Sequence, residues 1–170
     1  SRHWDFIGRV RTLCLTLVRV AAAGGGPVRA ADSSSLEKQV KSAFVVNFLQ
    51  FIEWPAKSFE KPDDPIIIGV ADAASLGDAL AAAIDGKTVR GRKLLIRTMD
   101  PKAPKPCHVL VAGNLDGADL QALLKAMPAS GCLTIGDSEH FTEGGGVSRF
   151  FVEDRKERFE INLTAAQRAE

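Results

Sequence analysis

The run Ile66-Ile67-Ile68-Gly69-Val70-Ala71 constrains the fold more than any other stretch of this chain. It is short, apolar throughout and rich in β-branched side chains, without the alternation of a strand that wets one face. A strand of that kind belongs in the middle of a sheet covered from both sides. Lys93-Leu94-Leu95-Ile96-Arg97-Thr98, Cys107-His108-Val109-Leu110-Val111-Ala112 and Cys132-Leu133-Thr134-Ile135-Gly136 read as further strands. Helical patterns fall between them: Ser75 caps one whose inward face is Leu76, Leu80 and Ile84, and Asp119–Ala126 forms another. Strand and helix in alternation predict a parallel sheet with right-handed crossovers.

The flanks complete the prediction. Ser34-Ser35-Leu36-Glu37 fits a capping box, so a helix is expected to start there. Val40, Phe44, Phe48 and Phe51 recur at helical spacing, Val46, Leu49 and Ile52 widen that face, and Trp54-Pro55 stops the helix. Near the other end, Val147–Val152 and Arg158–Leu163 flank the charged turn Glu153-Asp154-Arg155-Lys156-Glu157. Phe159, Ile161 and Leu163 alternate with polar residues, which predicts an antiparallel hairpin at the sheet edge. The expected fold is α/β: a three-layer sandwich, mostly parallel sheet with helices on both faces and a C-terminal antiparallel hairpin.

Residues 1–30 read as a signal peptide. Arg2, Arg9 and Arg11 lead into the apolar run Leu13–Val18, and Val28-Arg29-Ala30 supplies the small residues a leader peptidase needs, placing cleavage near Ala30. The apolar run is far short of the ~20 residues that cross a bilayer, and Leu13 before Cys14 argues against a lipoprotein. Cleavage would remove five arginines against one acid, Asp5, turning the net charge of +1 mildly negative. A mildly acidic domain is a poor partner for nucleic acid. The remaining residues, 31–170, are enough for one core of domain size.

Four blocks carry a family resemblance: Lys41-Ser42-Ala43-Phe44-Val45-Val46-Asn47-Phe48 closing with Phe51-Ile52-Glu53-Trp54-Pro55; Gly86-Lys87-Thr88-Val89-Arg90-Gly91-Arg92; Cys107-His108-Val109-Leu110; and Leu133-Thr134-Ile135-Gly136-Asp137. The last runs on through Phe141, Gly144-Gly145-Gly146 and Val147 to Arg158–Leu163. In that order and spacing the blocks resemble the YfiR family of periplasmic proteins. The resemblance implies a negative regulator that holds a membrane-bound diguanylate cyclase inactive by protein-protein contact, an outer-membrane lipoprotein being a further partner. Relatives serving histidine kinases would make the partner the periplasmic part of that sensor instead. Two departures stand out. The family usually carries a basic, apolar segment beyond the last helix, so a C-terminal piece is expected after Glu170; and there are too few cysteines to copy the family's disulfide pattern.

Candidate sites are sparse. Cys107 and Cys132 each open a strand of one sheet, so an exported protein could join them, while two free buried thiols fit the same positions. His108 and His140 have no CxxC or HxxxH spacing around them, so no metal is expected. Gly144-Gly145-Gly146 precedes a strand and lacks the helix N-terminus of a phosphate loop, and reads as a turn with positive φ. Asp137, Glu139 and Glu143 beside it read as solvated carboxylates. Trp54 is either a lid on the core or a hydrophobic anchor for a partner. Lys87, Arg90, Arg92 and Lys93 form a basic turn that is either solvated or a contact for an acidic partner or an anion.

No nucleophile-base set, Walker motif or GGDEF sequence is present. The chain is therefore read as a non-enzyme without cofactor: a periplasmic regulator of cyclic-di-GMP signalling, the alternative being a small-ligand-sensing module that uses the crevice at the carboxyl ends of the strands.

Overall fold

The computed structural model describes residues 30–113, 115, 117–128, 130–154 and 156–169. All but Ala30 of the expected signal peptide lies outside them. The elements in chain order are α1 (Ala30–Phe51), a 3-10 turn (Ala56–Ser58), β1 (Ile66–Ala71), α2 (Ala74–Ile84), β2 (Thr88–Val89), β3 (Arg92–Met99), β4 (Val109–Ala112), α3 (Gly117–Ala126), β5 (Leu133–Gly136), β6 (Ser148–Glu153), β7 (Lys156–Ile161) and α4 (Leu163–Ala169).

One seven-stranded sheet in the order β2-β3-β1-β4-β5-β6-β7 organises them. β3, β1, β4, β5 and β6 are parallel, and antiparallel partners close both ends, β2 on β3 and β7 on β6. The α/β sandwich and its C-terminal hairpin are as the sequence predicts.

Alternation along the strands sorts the apolar side chains into two cores. Ile66, Ile68, Val70, Val109, Val111 and Ile135 meet Val45 and Leu49 of α1 and Leu76 and Leu80 of α2 on one face. Leu110, Ala112, Met99, Cys107 and Cys132 meet Leu120 and Leu123 of α3 on the other. β1 is covered from both sides, which is why its sequence shows no polar alternation.

Several boundaries differ from expectation for local reasons. α1 is already helical at Ala30, so Ser34 and Ser35 sit inside it and form no capping box; Gln39 donates to Ser35 Oγ across one turn instead. Serine inside a helix costs well under ~1 kcal/mol, too little to end one anchored by packing. The helix stops at Phe51, three residues before Trp54. The N-cap of α2 is Ala73, with no side-chain bond, and Ser75 lies within the helix.

Two elements escaped the sequence pattern. β2 has two residues and pairs with β3 around Arg90-Gly91, where φ is +50° and +78° as a tight hairpin turn requires. At the far end Leu163 begins α4 instead of extending β7, because Asn162 leaves the strand to cap it: its Oδ1 accepts the Ala165 N–H at 3.0 Å.

The loop between β5 and β6 is built around one ring. Phe141 is fully buried, and a Cβ at Gly136 or Gly146 would lie 2.2 Å from a ring carbon. Gly145 alone of the glycine triplet has positive φ, at +101°. Gly146 is there to admit the ring, and Gly144 packs against Gln121.

Candidate functional site

At the end of the sheet where the parallel strands begin, four side chains named in the sequence blocks or beside them form one stack. His108 precedes β4, and its Nδ1 accepts the Ile67 N–H at 3.0 Å while its Nε2 donates to the Ser58 carbonyl at 2.9 Å. Phe59 lies on the imidazole at 4.6 Å and 14°. The Arg92 guanidinium sits 3.6 Å over the Phe59 ring and must take the opposite face. Trp54 meets His108 edge-on at 6.5 Å, and its indole N–H reaches the His108 carbonyl at 3.4 Å.

This arrangement fixes the connection between α1 and β1. Arg92 also donates to the carbonyls of Lys61 (3.2 Å) and Asp64 (2.7 Å), so its charge holds that loop. Trp54 and Phe59 both lie against the larger core. Beside the stack is a pocket of about 470 Å³, in the range of small-molecule sites, lined by Lys57, Ser58, Pro106, Cys107, His108, Pro128, Ser130 and Gly131.

Cys107 and Cys132 are both free and buried in the same core, the Cys132 sulfur 3.9 Å from the Leu133 carbonyl. Cys107 lies under Gly69, whose missing side chain leaves space for its sulfur, and within 3.7 Å of Met127 Sδ. The neighbouring Cys132 thiol lowers the Cys107 pKa against the opposing effect of burial, with smaller contributions from the Gly69 backbone and the charge of Arg97. The Cys107 thiol, together with burial, raises Cys132.

The basic turn divides. Arg92 is committed to the stack, Arg90 pairs with Glu53 at 3.1 Å on the surface, and Lys87 is exposed. Trp54 and Arg92 share one site; Lys87 and Arg90 lie outside it.

A second cluster was not read from the sequence. Lys41 of α1 is only 8% exposed and contacts Glu37 at 2.7 Å and Asp137, at the end of β5, at 3.4 Å. Asp137 is therefore paired, not simply solvated. Burial works to lower the Lys41 pKa, but its bond to Glu37 and the charges of Asp137, Glu37 and Glu157 outweigh it and hold the amine above its ordinary value. Glu157, on β7, is pushed the other way from a normal carboxylate: burial raises its pKa, Lys41 opposes, and Glu37 and Asp137 add to the rise. Its Oε2 is buried without a hydrogen-bond partner. The spacing of Glu37 and Lys41 along the helix was the one visible signal. Their long-range partners were not.

Among the described residues no group of His, Cys, Asp and Glu could hold a metal ion, and no helix is long and apolar enough to cross a membrane. Fold and site together define an open-sheet α/β domain with a pinned loop, a thiol pair and a charge cluster tying a helix to the sheet. The YfiR/HmsC-like family model matches residues 38–170. The chain belongs to the YfiR/HmsC-like family, a regulatory family, and the match takes in every strand described above. No curated protein matches the chain.

Proposed function

We propose that this domain is an exported, non-enzymatic regulator that holds a membrane-bound diguanylate cyclase inactive from the periplasmic side by protein contact. The observation that carries this reading is the family match across the whole sheet. The site chemistry supports it: His108 spends both ring nitrogens on backbone groups, and the buried Lys41 on carboxylates, so each serves to shape a surface. The leader is cut near Ala30, an outer-membrane lipoprotein is the natural release partner, and a histidine kinase is the alternative client. Deleting the gene while the neighbouring cyclase is expressed should raise cyclic-di-GMP. Unchanged levels would overturn the proposal.

The pocket beside His108 favours a second reading, in which a small ligand sets the active state. Thermal-shift measurements with amino acids and nucleotides on purified protein separate the two. A stabilising compound whose effect is lost on narrowing the pocket, by Ser130→Leu, supports the sensing module; no shift with any compound supports direct contact alone.

A further inference from the structure

β3 is a sheet edge for most of its length. β2 pairs with it only at Arg92 and Lys93, so on the side away from β1 residues Leu94 to Met99 have no strand neighbour, and no described loop backbone bonds to them. The outward amides and carbonyls of such an edge are ready to accept another strand. Along this edge runs a groove of about 420 Å³ between β3 and the end of α2, lined by Leu94, Leu95 and Ile96 with Ala81, Ile84 and Lys87 among its other walls.

The side chains on the open face specify a partner. No helix follows β3, since the chain returns to β4 through the Pro101–Pro106 loop, and Lys93, Leu95 and Arg97 are exposed together on one face of the strand, before Met99 of that face enters the core. Leu95 is 47% exposed, a large apolar side chain open to solvent between two basic ones. Basic, apolar, basic at every second residue calls for acidic, apolar, acidic opposite. The pattern reads the same in both directions, so it fits a parallel or an antiparallel guest. A second copy pairing through its own β3 would bring two basic rows together, which argues against it.

We infer that the open edge of β3 binds an extended segment of a partner protein by strand addition, the segment carrying acidic side chains on either side of an apolar one. The assignment rests on the contact-regulator reading above and names the surface through which the contact is made. Hydrogen exchange of the whole domain with the synthetic peptide Ser-Glu-Val-Leu-Val-Glu-Ser at millimolar concentration tests it. The expected result is new protection confined to amides of residues 94–99, and about tenfold weaker binding by the exposed Lys93→Glu/Arg97→Glu double variant, two attractive pairs having become repulsive. A peptide with Lys in place of Glu should not bind the unaltered domain.

No protection in β3, equal binding of both peptides, or dimers of the unaltered domain that use this edge would each overturn it. In cells the outcomes separate. If the unaltered protein lowers cyclic-di-GMP and the double variant does so equally, the edge assignment fails and the regulatory role stands. If the unaltered protein has no effect, the regulatory role fails, while the peptide result still decides the edge.

Discussion

The two ends of the sheet are finished in different ways. At the β7 end, charges of both signs alternate and are mutually paired: Arg149 with Glu160 at 3.0 Å, Arg158 with Glu153 at 2.7 Å. Thr142 donates to Glu160, and these bonds lower the Glu160 pKa against the opposing effect of burial, the Thr142 bond most. Glu157 faces α1 and Lys41, and a carboxylate turned inward makes that edge hostile to a guest strand. At the β3 end the charges on the open face have one sign, an apolar side chain lies between them, and a groove runs alongside. β7 is closed by paired charges and an inward carboxylate, whereas β3 keeps an exposed leucine between its basic residues. The difference marks β3 as the edge kept available.

The contrast predicts that damage at the β7 end is costly and damage at the β3 edge is cheap. Phe141→Ala should have the largest effect, about 3–5 kcal/mol by chemical denaturation, because a fully buried ring is lost. β6 is held to β5 by two register pairs, so the hairpin depends on that loop. Lys41→Met should cost about 2–3 kcal/mol, less than a fully enclosed pair since its carboxylates reach water. Thermal melts of both variants check the ranking.

Glu157→Gln tests the inward carboxylate by its pH dependence. The folded pKa is raised, so the wild-type domain carries this contribution fully below the ordinary glutamate value and loses it as pH rises through the folded one. The variant should be at least as stable as wild type near neutral pH and should lack that part of the gain on acidification, as denaturant midpoints across pH 4 to 8 would reveal. Leu95→Ser on the open edge should change stability by no more than about 0.5 kcal/mol. Should it cost as much as Lys41→Met, the edge is a structural element and the comparison collapses.

How much of this was legible in the chain depends on the range of the forces involved. The Ile66–Ala71 run declared a doubly covered strand because burial on both faces leaves a local mark on composition. β2 left none, being two residues set by a turn, and Asn162 looked like one more polar position in an alternating strand while it was capping α4. The stack was half visible. Trp54 and Arg92 drew notice separately, but their meeting across Phe59 and His108 is made by the sheet. Lys41 was hidden for the same reason, since Asp137 lies 96 residues away.

The placement of Trp54 has a spectroscopic consequence. It is the only indole of the family-matched region, and the chain has no tyrosine. In a chain carrying Trp4→Phe the emission comes from one site, edge-on to an imidazole at the start of the parallel strands. Quenching or a wavelength shift under tryptophan excitation reports, without a label, whether the α1 to β1 connection is seated.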